Sequence, residues 1–363
     1  MKAEPLACLI ASRNLGDIVI WSSVMRELVA AGYAERFVVW TRPQMAWMFE
    51  DIPNCEVVCS SFPVGTRKEF GARASLQFLR VAARIRVLKP TVFLDFVGDF
   101  RERWFARLAG SRRHLQIGWE ARHPYTRLIR NPFGRGNPLV TVPASVPNVY
   151  AAYELMVAAL TGRADASRRV EPRDRSRPFR DASRYRVGLH PFASQSCKLW
   201  PDVNWASLAQ ELLRRGFDVF AFSAPGERES LRGVFAGLEA RMSLVTGTLS
   251  EFAATIATLD VMVGLDSFSV HMAHRQGVPS ITINAGAPAE LWAIPNGRML
   301  AESGGCSHYP CYNVAPCRGT SHQNACVNAV TPARVLAAIE SARLQPATGL
   351  FPEHVVAGLS SEP

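Results

Sequence analysis

Lysine is scarce in this chain. Of the 41 Lys and Arg residues only four are lysines: Lys2, Lys68, Lys89 and Lys198. Arginine supplies the rest of a net charge of +10. That bias fits an arginine-favouring codon composition as well as contact with phosphates or an anionic membrane surface. The basic residues are scattered, with no aromatic-rich basic module, which argues against nucleic acid as a partner. Long apolar runs are also missing. Residues 6–11 are too short for a signal segment or a membrane span, and no 18-residue apolar stretch follows. The expected compartment is the cytoplasm, where the eight cysteines stay reduced. No G-x-G-x-x-G follows any predicted strand, which weighs against a dinucleotide-dependent oxidoreductase.

What is present is a globular chain of 363 residues, 48% hydrophobic and 20% charged, long enough for about two domains. Short apolar runs alternate with segments of helical period, the pattern of a mostly parallel sheet covered on both faces. Strands are predicted at 6–11, 36–40, 55–60, 91–96 and 114–119, with helices over 17–31 and 68–87. The stretch 163–185 loses all apolar period and fills with Arg, Pro and Asp. The rhythm then restarts, with strands at 185–190, 218–223, 242–245, 261–265 and 280–284 and a helix over 205–215. Thr331-Pro332 supplies a cap and a first-turn proline for a closing helix. The expected organisation is therefore a doubly wound domain over 1–165, a linker over 166–184, a second doubly wound domain over 185–343 and a tail over 344–363. The active site is expected between the two domains, outside the carboxyl ends of their strands.

Four constellations could carry chemistry. Arg13-Asn14-Leu15-Gly16-Asp17 follows the first strand and opens a helix; Asp17 is either a catalytic carboxylate or an ordinary helix cap. The loop after the strand at 185–190 contains Ser194, Ser196 and Lys198, the only lysine after Lys89. Hydroxyls and one ammonium suit a diphosphate; the plain alternative is a solvated loop. Asp266-Ser267-Phe268-Ser269-Val270-His271 ends a strand and starts a helix, where free amides hold phosphate or the acid merely caps. Cys306, Cys311, Cys317 and Cys326 fall within one short segment. They could hold a structural zinc or iron ion, but they lack C-x2-C knuckles, so free thiols or a disulfide remain the alternative.

Taken in order, these motifs resemble glycosyltransferase family 9, the lipopolysaccharide heptosyltransferases. Leu15-Gly16-Asp17, Leu94-Asp95-Phe96-Val97-Gly98-Asp99, Lys198-Leu199-Trp200-Pro201 and Asp266-Ser267-x-x-x-His271 carry the resemblance. It implies the GT-B architecture, two Rossmann-like α/β domains facing across a cleft, and metal-independent, inverting sugar transfer that needs no cofactor. The implied donor is a nucleotide diphosphate sugar, ADP-heptose, and the implied acceptor a lipid A–core or similar glycan met at the inner-membrane surface. Asp17 would be the base, with Asp95 and Asp99 in reserve. Ser194, Ser196, Lys198, Asp266, Ser267, Phe268 and His271 would line the donor site, with Glu227 and Leu249 near the nucleoside. Arg13, Arg67 and Lys68 would meet the acceptor. Phe268 stands where the family has glycine, and a side chain there is expected to crowd the phosphate-binding amides. Ser23 replaces the usual proline. Another nucleotide sugar, a protein acceptor, a non-catalytic binding relative and a sugar-nucleotide epimerase are the competing readings.

Overall fold

Parallel strands buried on both faces read as unbroken apolar runs, and the strands here do so. The structure, a computed structural model, describes residues 3–11, 14–62, 71–127, 138–162 and 184–344. The chain divides into two units, Met1–Arg168 and Arg169–Pro363.

Unit one runs β1 (Ala7–Ala11), α1 (Leu15–Ala30), β2 (Phe37–Thr41), β3 (Cys55–Cys59), α2 (Ala72–Leu88), β4 (Val92–Asp95), α3 (Phe100–Leu108), β5 (Arg113–Trp119), β6 (Val140–Val142) and α4 (Val149–Thr161). Its sheet is ordered β3-β2-β1-β4-β5-β6, all parallel. This is the dinucleotide-fold order, in which the chain reverses direction across the sheet between β1 and β4. Trp40 of β2 anchors one layer of the core. Its ring stacks on Phe78 of α2 at 4.7 Å and meets Phe62 and Phe105 at 5.2 and 6.0 Å.

Unit two repeats the plan with β7 (Arg186–His190), α5 (Asp202–Arg214), β8 (Asp218–Ser223), α6 (Arg228–Val234), β9 (Ser243–Thr246), α7 (Leu249–Ile256), β10 (Val261–Leu265), α8 (Phe268–Arg275), β11 (Ser280–Ile283), α9 (Ala289–Trp292), β12 (Gly297–Leu300), α10 (Ala325–Asn328) and α11 (Pro332–Leu344). Its order β12-β11-β10-β7-β8-β9 is the same order read from the other edge, with the reversal between β7 and β10. Its core joins Val187 and Leu189 of β7 to Val263 and Leu265 of β10 beneath Trp200 and Trp205. The Thr331 hydroxyl accepts from the Arg334 amide, so α11 starts at the expected cap and proline.

Local chemistry fixes the turn after β4. The Asp95 carboxylate accepts from the amides of Val97 and Gly98 at 2.9 and 2.8 Å and takes a 3.1 Å contact from His114 Nε2. Gly98 holds φ at +75°, and a Cβ there would stand 2.5 Å from the Ile117 carbonyl oxygen. Gly162 has a similar φ of +68° but open space around it. Gly162→Ala should therefore cost only the left-handed strain, about 1 kcal/mol, and Gly98→Ala that strain plus a backbone clash, about 3 kcal/mol or more. Urea unfolding checks the difference; equal losses would show that the loop yields around Ile117.

Candidate functional site

β7 and β10 end side by side at the point of reversal, the place where open α/β sheets hold their ligands, and polar residues collect at those carboxyl ends. β7 leads into residues 191–201, and β10 leads directly into Asp266. Within the first segment, Trp200 is buried to 1% exposure; its Nε1 donates to the Val330 carbonyl at 2.7 Å and its ring packs edge-on against Trp205. Pro201 then starts α5. These two residues pin the segment, and the short 3-10 turn Ser196–Lys198 just before them presents the lysine.

Lys198 Nζ donates to the Asp266 carboxylate at 2.7 Å and to the Asp266 carbonyl at 3.0 Å. Both side chains are largely buried, 15% and 9% exposed. His271 Nε2 lies 3.8 Å from the other carboxylate oxygen. Burial opposes ionisation of Asp266, but the Lys198 ammonium and the His271 ring outweigh it and hold the carboxyl well below the usual range. Beside this pair, α8 begins at Phe268 with Ser267 as its cap residue. The hydroxyls of Ser267 and Ser269 are buried without a hydrogen-bond partner. Such orphans cost free energy unless a ligand or water satisfies them. A lysine with three donors, two of them taken by Asp266, keeps one N–H for an anion.

In unit one, α1 starts just after the carboxyl end of β1, and Asp17 lies in its first turn, 8% exposed, accepting from Asn14 Nδ2 at 3.2 Å. The helix cap is Asn14, so Asp17 is not the cap. The other two acids of this region are committed locally: Asp95 to its loop, and Asp99 to the Arg101 amide and guanidinium at 2.9–3.0 Å.

Residues 146–317 match the model of glycosyltransferase family 9 (heptosyltransferase). A curated relative, lipopolysaccharide heptosyltransferase 1 of Pseudomonas aeruginosa, is 27% identical over 182 residues, covering 45% of this chain and 49% of that protein. The chain thus spans about half the length of the curated relative it matches. Over residues 146–317 the chain is similar to glycosyltransferase family 9. The family 9 glycosyltransferase of Veillonella parvula shares its fold at TM-score 0.72 and 15% identity, over 95% of this chain and 99% of that one. The Escherichia coli heptosyltransferase WaaC, solved with ADP-2-deoxy-2-fluoro heptose, does so at TM-score 0.63 and 16% identity, over 93% and 99%. The two doubly wound units are those of the GT-B architecture.

Lys198, Asp266, Ser267 and His271 come together as one cluster. Ser194 and Ser196 sit on the same loop, exposed. Glu227 accepts from the Ala224 amide at 3.1 Å and so closes its own turn, and Leu249 is a half-buried first residue of α7. Arg13, Arg67 and Lys68 lie outside the described residues. Phe268 is 8% exposed, with its ring edge-on to Phe252 at 5.6 Å; Phe252 continues to Phe222 and His190.

Among the described residues no three His, Cys, Asp or Glu side chains are placed to hold a metal ion. Cys306, Cys311 and Cys317 each open a separate tight turn, closed by the amides of Tyr309, Val314 and Thr320. All are free thiols. Burial, then the neighbouring thiols of Cys311, Cys306 and Cys317, push the Cys326 thiol up, with the Val327 amide opposing them. The Cys311 sulfur packs over Gly286, where a Cβ would come within 2.4 Å.

Two side chains at this site carry no sequence signal. Asn313 has a buried orphan Oδ1, and its carbonyl lies 3.7 Å from the Cys197 sulfur on the lysine loop. His190, the last residue of β7, is 9% exposed with an orphan Nδ1, and burial alone lowers its pKa to about 4. Burial likewise lowers His274 to about 4. A folded-state pKa below the unfolded one means the unfolded chain binds the proton first as pH falls. Stability is therefore full above pH 6.5 and declines towards pH 4, by about 2 kcal/mol per ring at pH 5. Asp266 does not contribute in that window, because its depressed carboxyl loses stabilisation only below the ordinary Asp range. Thermal melts from pH 7 to pH 5 should show a smaller loss for His190→Phe than for the wild type. Identical slopes would mean His190 is already hydrated in the folded state.

Proposed function

We propose that this chain transfers a sugar from a nucleotide diphosphate donor, ADP-heptose, to a lipid A–core or similar glycan acceptor in the cytoplasm, inverting the anomeric carbon. The observation that carries this reading is the Lys198–Asp266 pair at the β7/β10 reversal, beside two buried hydroxyls without partners. Two relatives, a lipopolysaccharide heptosyltransferase and a heptosyltransferase solved with an ADP-heptose analogue, support this donor and acceptor.

The chemistry needs a stabilised leaving group, a positioned acceptor hydroxyl and a base. Negative charge grows on the leaving diphosphate as the sugar–oxygen bond breaks. The remaining Lys198 N–H and the amides at the start of α8 meet that charge with donors already in place, which is where preorganised electrostatics act most strongly. Asp266 holds the ammonium in register; His271 in turn holds Asp266. The acceptor oxygen attacks the anomeric carbon from the opposite face and loses its proton to Asp17. Asp95 and Asp99 are poor substitutes as base because their oxygens are engaged by backbone amides, His114 and Arg101. No cofactor is assigned to the reaction, and Cys306, Cys311, Cys317 and Cys326 take no part in it.

Lys198→Ala should weaken ADP binding by roughly 1.5–3 kcal/mol, the scale of a charged hydrogen bond. Unchanged affinity by calorimetry would remove the loop from the donor site.

Asp17→Asn keeps shape and the Asn14 contact while removing the base. Donor affinity should persist and turnover should fall by about 10²–10⁴. A variant that retains most of its turnover puts the base elsewhere. Wild-type protein that binds ADP-sugars yet transfers nothing to any glycan acceptor would instead support a non-catalytic binding relative.

A further inference from the structure

We propose that Asn284 and Asn313 recognise the sugar of the donor, their amide oxygens accepting hydrogen bonds from the hydroxyls of an uncharged sugar. That role rests on the reading of Lys198 and Asp266 as the diphosphate site.

The strand register sets the place. Leu265 of β10 pairs with Ile283 of β11, so Asp266 and Asn284 are the next residues at the ends of two neighbouring strands, which lie about 5 Å apart. Residues 309–313 cover the β11 end. The Tyr312 amide donates to the Gly286 carbonyl at 2.7 Å, and Asn284 Nδ2 donates to the Tyr309 hydroxyl at 3.1 Å. A Cβ on Gly286 would stand 2.4 Å from the Cys311 sulfur and 3.5 Å from Asn313 Oδ1, so the two segments lie in direct contact. The same segment reaches the lysine turn, because the thiol of Cys197, next to Lys198 in the chain, donates to the Asn313 carbonyl at 3.7 Å.

Both amides are incompletely used. Asn284 is fully buried; its Nδ2 donates to the Ala287 carbonyl at 2.8 Å as well as to Tyr309, while its Oδ1 has no partner. Asn313 Oδ1 is likewise buried without a partner. Buried amide oxygens are nearly always satisfied, so two unsatisfied ones at one strand end point to a ligand that brings hydroxyls. Asn313 as a whole is only half-buried, and rotation about its χ2 turns the oxygen towards such a ligand. Tyr312, Asn313 and Ala315 hold φ between +54° and +61°, a backbone strain that gathers at ligand sites.

Residues 284–289 and 309–317 contain no charged side chain. A phosphate or carboxylate on the sugar would face acceptor oxygens there, whereas hydroxyls donate to them. In the order β12-β11-β10-β7-β8-β9 this end lies on one side of the Lys198–Asp266 pair. Glu227 and Leu249, expected near the nucleoside, follow β8 and β9 on the other side. A donor held by its diphosphate at Lys198 thus has its sugar towards β11.

The test is calorimetry of ADP and of ADP-heptose with the wild type, Asn313→Gly and Asn284→Ala. Glycine keeps the left-handed backbone of position 313 and removes only the amide, so that variant should melt with the wild type. Asn313→Gly should bind ADP-heptose about tenfold more weakly, the scale of one or two hydrogen bonds, and ADP as tightly as before. Asn284→Ala should do the same; if its melt shows that losing the Ala287 and Tyr309 bonds loosens the fold, Asn313→Gly decides alone. Equal wild-type affinity for the two ligands, or a preference for ADP-heptose that survives in Asn313→Gly, overturns the proposal and leaves the amides to water. Equal weakening of both ligands overturns it too, since the amides then serve the nucleoside or the diphosphate. Each of these results leaves ADP binding by the wild type intact. Wild-type protein that binds no ADP instead removes the diphosphate reading, and the sugar role with it.

Discussion

A buried ammonium is tolerable only when paired, and the organisation of unit two follows from how Lys198 meets that requirement. Its partner Asp266 must stand at the end of a strand adjacent to the one that delivers the lysine. The order β12-β11-β10-β7-β8-β9 provides this, because β7 and β10 are neighbours only at the point of reversal. Trp200 and Pro201 then remove the loop's freedom, one by filling the core and one by starting α5. Such a pair adds little to net stability once desolvation is counted. What it gains is position: an ammonium with one donor left over, held in place before any ligand arrives.

Unit one has the same strand order and spends its residues differently. The acid at the corresponding place, Asp95 at the end of β4, is consumed in shaping its own loop. Asp17 is the acid that α1 brings to the neighbouring strand end. One topology therefore carries the Lys198–Asp266 pair in one unit and a first-turn carboxylate, Asp17, beside Asn14 in the other. The fold decides where polar groups can gather, and the side chains decide what they can do there.

Most strands were legible because a parallel strand covered on both sides is a solid apolar run; 218–223 and 261–265 match β8 and β10 residue for residue. β6 and β12 were not. β6 is three residues, Val-Thr-Val, and β12 is Gly-Arg-Met-Leu, and both lie at sheet edges where half-exposure erases the pattern. α4 was missed as well, since its apolar residues are too many to leave a clear stripe, and it abuts the Arg-rich stretch that dominated the local composition. At the site, Lys198, Asp266 and His271 were readable as residue types that hold charge. His190 was not, because a histidine closing an apolar strand looks the same whether its ring is satisfied or orphaned. The four late cysteines are neighbours in sequence, and the thiols of Cys311, Cys306 and Cys317 lie close enough to raise that of Cys326, yet among the described residues no three His, Cys, Asp or Glu side chains are placed to hold a metal ion.

Phe268 shows most clearly how a local substitution is absorbed. A glycine was expected at that position, and a side chain there was expected to crowd the helix amides. The ring instead belongs to an aromatic chain, Phe268 on Phe252, Phe252 on both Phe222 and His190. A ring buried in such a row fills volume that glycine would leave empty, and in a close-packed interior that volume must be taken by something. Phe268 and Phe252 are therefore coupled positions, and the row they form ends on the ring of His190 with its orphan nitrogen. The departure from the expected glycine lies in the packing beneath the start of α8, while the hydroxyls of Ser267 and Ser269 stay without partners there.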